Sequence, residues 1–198
     1  DAVTSQYIGL NLFQIDIARV QNDMRSLPWV SRIEIEKKLP GTLRMRVVER
    51  IPVALVQQGR ELNYVDEHGI AFARLTPAVG DPDLPLINAA CAPSRTTPCP
   101  DLVRAVALLR ALSAHDPQIY SRISEVRPLV PAGFQLFDRD LGAIVYANGD
   151  DVSSKLRTLY AIVRSEQFAR GSIAYADLRF SDRIVIKPLQ EGAMHVQN

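Results

Sequence analysis

From Asp16 to Val47 the apolar residues change their spacing once, and with it the element they predict. Ile17, Val20, Met24 and Leu27 recur at steps of three and four. That is one face of a helix, expected from Asp16 to Leu27 with Asp16 as its cap and Pro28 as its stop. In "LPWVSRIEIEKKLP" (residues 27–40) the step shortens to two, with Ile33 and Ile35 alternating with Arg32, Glu34 and Glu36. Such alternation predicts a strand with one dry face. Leu39-Pro40-Gly41 turns the chain, and Leu43, Met45 and Val47 then alternate with Thr42, Arg44 and Arg46 as the returning strand of a hairpin. The helix is expected on the Ile33/Ile35 side, with Trp29 as a core plug and the stripe Arg32, Glu34, Glu36 in solvent.

Beyond Pro52 the predicted elements are shorter. Strands are expected at Val53–Gln57 and Leu62–Val65 around Gln58-Gly59, and at Ile70–Ala73 after the turn Asp66–Gly69. Pro77 to Pro100 reads as a long irregular connection. A helix follows from about Asp101 to Ala114, with Leu102, Val106, Leu109 and Leu112 inward and Asp116-Pro117 as its end. Strands at Ile123–Arg127, Phe134–Asp138 and Ala143–Ala147 lead to an Asn148-Gly149 turn. The next helix, capped by Asp151 or Ser153, turns Leu156, Leu159, Tyr160 and Val163 inward. Two last strands, Ile173–Leu178 and Arg183–Lys187, flank Arg179-Phe180-Ser181-Asp182, and a frayed tail is expected from about Gln190. The segment Arg183–Lys187 is apolar and β-branched. It fits an interior strand buried on both faces, or an edge able to accept another chain's strand. The shift in character at Ile51-Pro52 divides the chain into residues 1–51, 52–189 and the tail 190–198, an α+β organisation with no internal repeat.

Composition narrows the function classes. With 47% apolar and 23% charged residues the 198-residue chain can bury a real core, and its formal charge of +1 favours neither nucleic acid nor an anionic membrane. No run approaches the 18 apolar residues of a membrane span. Asp1 is neither an initiator Met nor the start of a signal peptide, so a fragment is expected whose targeting segment lies upstream or was removed. His68, His115 and His195 are scattered, and no HExxH, Gly-x-Ser-x-Gly or phosphate-loop spacing occurs. In "YANGDDVSSK" a turn and a helix cap account for the residues better than an anion site does, because the two aspartates repel an anion. Asp81/Asp83 and Asp150/Asp151 likewise read as turn chemistry. No catalytic set, cofactor site or metal site emerges, and the chain is not expected to be an enzyme. Cys91 and Cys99 sit in a Pro-flanked loop with too few neighbouring ligands for a metal. A disulfide and two separate thiols both remain open, with export favouring the disulfide.

A family resemblance then enters. The region "NLFQIDIARVQNDMRSLPWVSRIEIEKKLPGTLRMRVVERIPVALV" carries Leu-Pro-Trp-Val, Leu-Pro-x-Thr-Leu and Val-x-Glu-Arg-x-Pro-x-Ala elements. It resembles the POTRA domain of FtsQ/DivIB bacterial cell-division proteins. "YVDEHGIAF" (64–72), "DLPLI" (83–87) and "IAYADLRFSDRIVIKP" (173–188) resemble further elements of that family in order, so the similarity runs over nearly the whole chain.

The resemblance implies a single-pass inner-membrane protein with most of its mass in the periplasm, enriched at the division septum. Its exported part would be a POTRA domain followed by a larger, mixed, mostly antiparallel β-domain with two main helices. Val3–Ile8 resembles the end of the first POTRA helix, so the POTRA unit here would be a helix plus β-hairpin without its first strand, and the membrane helix would lie upstream. The implied role is a non-catalytic divisome scaffold that binds FtsB and FtsL and so helps govern septal peptidoglycan synthesis, with other divisome proteins engaging the POTRA domain. The implied FtsB site is a strand addition on the late strands. Arg179 would contact an acidic residue, Phe180 would be the aromatic anchor, and Ser181, Asp182, Arg183, Ile184, Val185, Ile186 and Lys187 would form the pairing edge. Asn148 stands where the family can carry a basic contact residue. Arg179 has an alternative use in a pair with Asp177 or Asp182. The competing reading of the whole chain is the POTRA-type peptide-binding arm of an outer-membrane protein translocator.

Overall fold

The computed structural model describes residues 5–76, 82–149, 151–166 and 168–189. Its chain forms two compact units, Asp1–Ile51 and Pro52–Asn198.

The first unit is built on a cap and a hairpin. Asp16 has extended backbone, and its Oδ1 accepts the N–H of Ala18 at 2.9 Å and of Arg19 at 3.4 Å. These are amides that helix α1 (Ile17–Arg25) cannot satisfy itself. Strands β1 (Val30–Lys38) and β2 (Thr42–Glu49) pair antiparallel in the register Ile33↔Val47 and Ile35↔Met45. One face of the hairpin joins Val20 and Met24 of α1 with Ile33, Ile35, Leu43 and Met45 in a small core. On the other face Arg46 pairs with Glu34 at 3.3 Å, Arg32 with Glu34 at 2.7 Å and Arg44 with Glu36 at 3.8 Å. The stripe neutralises itself in solvent, where such pairs contribute about 0–1 kcal/mol each. Trp29 departs from expectation. It is 40% exposed, not a core plug, because a bulge between Val30 and Arg32 turns Val30 inward instead. Residues 6–9 before the core form turns that end in Gly9 at φ +84°, whereas Val3 and Thr4 lie outside the described residues.

The second unit opens with a meander, β3 (Pro52–Gln58), β4 (Glu61–Asp66) and β5 (Ala71–Arg74). The proline-rich connection is less irregular than its composition predicts, for it contains β6 (Leu86–Ile87). Helix α2 (Pro100–His115) follows, and Asp116-Pro117 ends it by starting a single further turn, α3 (Pro117–Tyr120). A second meander comprises β7 (Ile123–Pro128), β8 (Phe134–Asp138) and β9 (Ala143–Ala147). Helix α4 (Val152–Ser165), β10 (Ile173–Asp177) and β11 (Val185–Pro188) complete the unit. All nine strands share one sheet in the order β11-β10-β9-β8-β7-β6-β3-β4-β5. Its pairings are mostly antiparallel, and β3/β6, β6/β7 and β9/β10 are parallel. The last of these needs a crossover, which α4 supplies.

Helices α2 and α4 bury Leu102, Val106, Leu109, Leu112, Leu156 and Leu159 against one sheet face, meeting Val56, Ile87, Val126 and Val145 there. Asp138 anchors α4 from inside that core. Its fully buried carboxylate takes the N–H of Asp140 and Leu141, both at 2.9 Å, and the hydroxyl of Tyr160. Burial, and secondarily the Asp138 charge, raise the Tyr160 phenol far above its ordinary value, so it donates at every physiological pH. Asp151 occupies the N-cap position of α4 but makes no side-chain cap, and Ser153 lies within the helix. With φ at +58°, Asp151 lacks the extended backbone from which a cap side chain reaches the N2 and N3 amides. Cys91 and Cys99 are paired as a disulfide, Cα atoms 6.0 Å apart. The expected tail from Gln190, along with Asp81 and Asp150, lies outside the described residues.

Candidate functional site

Among the described residues no group of His, Cys, Asp and Glu could hold a metal ion, and no helix is long and apolar enough to cross a membrane. The candidate surface lies at the β11 end of the sheet. The strand has one neighbour, β10, in the register Tyr175↔Lys187, Ala176↔Ile186 and Asp177↔Val185. Among the described residues no strand pairs with its other side, which forms an edge of the sheet. Ile186, and Ile184 just before the strand, pack on the helix-covered core. Val185 and Lys187 stand on the opposite face, with the Lys187 ammonium 5.7 Å from the Tyr175 ring centre.

The segment that carries the chain from β10 to β11 is held from below. Lys155, in the first turns of α4, donates to the carbonyls of Leu178 and Phe180, both at 3.0 Å. Asn148 donates to the carbonyl of Arg179 at 3.0 Å. These two side chains fix residues 178–180 as a shelf from which Phe180 projects, 41% exposed, with the Arg183 guanidinium 5.1 Å from its ring centre. Between the shelf and α4 lies a groove of about 370 Å³, walled by Lys155, Thr158 and Ile162 on one side and by Phe180, Ser181 and Ile184 on the other. Asp182 and Arg183 lie at its rim, 3.7 Å apart.

Arg179 is engaged within the chain. Its Nε and Nη2 donate to the two oxygens of Asp177 at 2.9 and 2.6 Å, its own N–H adds a third bond at 3.0 Å, and its guanidinium lies 5.1 Å from the Tyr146 ring centre. That grip lowers the Asp177 carboxyl below its usual range against the opposing cost of burial, and it raises Arg179 in turn. Of the two carboxylates within the chain that the sequence offered, Asp177 and Asp182, Arg179 pairs with Asp177.

The structure thus brings Asn148, Arg179, Phe180, Ser181, Asp182 and Arg183 together beside β11. It corrects one boundary, because Arg183 and Ile184 precede the strand, which runs from Val185 to Pro188. Bends at residues 180–182, tied to α4 through Lys155, delay pairing with β10 until Val185. Among the described residues β11 is an edge strand and not an interior one. Sequence reasoning missed Lys155, Tyr146 and Tyr175. The tyrosines had a legible signal, since each alternates with small or apolar core residues of its strand. Lys155 had none, because its function depends on a segment 23 residues away.

Against known families, a model of the FtsQ-type POTRA domain matches residues 1–50, and a model of the C-terminal domain of cell division protein FtsQ/DivIB matches residues 54–179. The chain belongs to the FtsQ/DivIB family. Similar curated proteins carry the name cell division protein FtsQ. One from Geotalea daltonii is 31% identical over 186 residues, covering 90% of this chain and 66% of that protein. One from Rhizobium radiobacter is 28% identical, covering 95% of this chain and 85% of that protein. The chain spans 64–66% of the length of the first three FtsQ relatives. Among solved structures, the major extracytoplasmic domain of DivIB from Geobacillus stearothermophilus aligns over 62% of this chain and 98% of its own, at 17% identity and a TM-score of 0.37. That likeness is too slight to add to the FtsQ/DivIB assignment.

Proposed function

We propose that this chain is the periplasmic, non-catalytic part of an inner-membrane division scaffold that recruits FtsB and FtsL, and through them helps control septal peptidoglycan synthesis. The observation that carries the reading is the position of β11 at the end of the sheet, with no second neighbour among the described residues, flanked by the exposed ring of Phe180. An extended FtsB segment adds to β11 by main-chain hydrogen bonds, and side-chain contacts beside the edge supply selectivity. Phe180 is the anchor of that contact. Asn148 and Lys155 act behind it by holding the shelf, so Asn148 serves position more than direct contact. Arg179 presents its charge while bound to Asp177. Its side chain is 46% exposed, which leaves room for a partner carboxylate on its free side. The POTRA unit is left for further divisome partners.

The test is titration of the chain with a peptide from the C-terminal part of the cognate FtsB, read by calorimetry. Saturable binding is expected, weakened about tenfold or more by Phe180→Ala with an unchanged circular dichroism spectrum. No binding by the unaltered chain overturns the reading; undiminished binding by Phe180→Ala overturns the anchor.

A further inference from the structure

The nine-stranded sheet has a seam. Five strands, β7 to β11, lie on one side and three, β3 to β5, on the other, and only the two-residue strand β6 joins them. Leu86 and Ile87 pair with Leu55 and Val56 of β3, and on their other side with Glu125 and Val126 of β7. Two flanking bonds lengthen the join: the Leu55 N–H donates to Pro85 at 2.9 Å, and the Asn88 N–H to Val126 at 2.8 Å. A two-residue strand has little hold of its own. A solvent cavity of about 580 Å³, lined by Gln57, Asn88, Ala90 and Arg127, reaches the seam. Water there can compete for its hydrogen bonds.

The stretch of chain after β6 compensates. Within four residues it is bonded covalently at Cys91 to Cys99, the N-cap residue just before α2. Beside it the Asp101 carboxylate accepts the Ala90 N–H at 2.9 Å. Helix α2 packs across the seam, against both β3 and β7. Cys99 is buried and Cys91 only partly so, which makes Cys91 the more exposed residue of the pair.

We propose that Cys91–Cys99 is a redox-operated clamp that holds β6 in the seam, opened by a dithiol reductant. A thiolate of the reductant attacks the Cys91 sulfur, the sulfur–sulfur bond breaks, and Cys99 leaves as a thiolate that takes up a proton. The second thiol of the reductant then displaces Cys91 and closes the reductant's own disulfide. The protein has gained two electrons and two protons, and the reductant has lost them. With the clamp open, β6 exchanges between paired and unpaired states. The two halves of the sheet then keep their own pairings but lose their coupling.

Hydrogen exchange read by mass spectrometry on the whole chain, with and without dithiothreitol, tests this. Reduction is expected to add the mass of two hydrogens and to speed exchange at Leu55, Asn88 and Ala90 by about tenfold or more, while the amides of β8 and β9 keep their rates. The variant Cys91→Ser/Cys99→Ser is expected to show the same local change without reductant. If that variant does not fold, the dithiothreitol arm decides alone. Unchanged rates at the seam after reduction overturn the clamp. So does an equal acceleration of every amide in the second unit, since the bond would then be a general staple, and so does the absence of any mass change.

Discussion

Asp177 and Arg179 couple the candidate edge to pH. The Asp177 carboxyl is depressed in the fold, chiefly by the Arg179 guanidinium. Its stabilising contribution is therefore complete above the ordinary carboxyl range near pH ~4 and is lost as pH falls through the lower folded value. Thermal midpoints of the chain and of Asp177→Asn, measured from pH 7 to pH 2, are expected to differ at neutral pH and to converge in acid. A constant gap would mean that the bond contributes through shape and not charge. Tyr160 offers a cleaner case, because its partner Asp138 is fully buried. Tyr160→Phe keeps the ring and removes the donor, so one carboxylate oxygen is left without that bond. The expected cost is about 1–3 kcal/mol in urea unfolding, with the slope unchanged.

The turn between β4 and β5 is pressed against α2. A Cβ at Gly69 would sit 2.9 Å from both the backbone nitrogen and a side-chain carbon of Val103, and the glycine holds φ at +76°. Gly69→Ala is expected to destabilise by about 1–3 kcal/mol, with exchange accelerated most in β5 and the first turn of α2. Elements of this kind were unevenly legible. Helix α1 and the β1–β2 hairpin could be read directly, since Val20, Met24, Ile33 and Ile35 follow the periods that burial on one side imposes. Helices α2 and α4 were legible for the same reason. Strand β6 was not: two residues show no period, and Leu86-Ile87 become a strand only because β3 and β7 lie on either side. The left-handed Asp151 was equally hidden, since a cap residue is recognised by type and type does not fix its backbone angle. At the candidate edge the sequence located Phe180 and the apolar run. The grip of Arg179 on Asp177 could be named only as one choice among several, because both side chains also suit a partner.

The chain's division into Asp1–Ile51 and Pro52–Asn198 coincides with separate cores, one of Val20, Met24 and Ile33 and the other around α2 and α4. Each unit is proposed to fold alone. Residues 52–198, expressed without the first unit, are expected to melt in one cooperative transition and, on the proposed function, to bind the FtsB peptide with the affinity of the whole chain. A broad, non-cooperative melt would overturn that independence. The topology of the second unit also bears on the order in which it assembles. Strand β11 needs β10 as its neighbour, β10 needs β9, and α4 must cross over before β10 can lie beside it. The β11 edge therefore depends on the prior placement of α4, β9 and β10. If the proposed strand addition holds, a chain whose C-terminal strands have not formed would offer FtsB no edge, so binding would report on the scaffold's own folding.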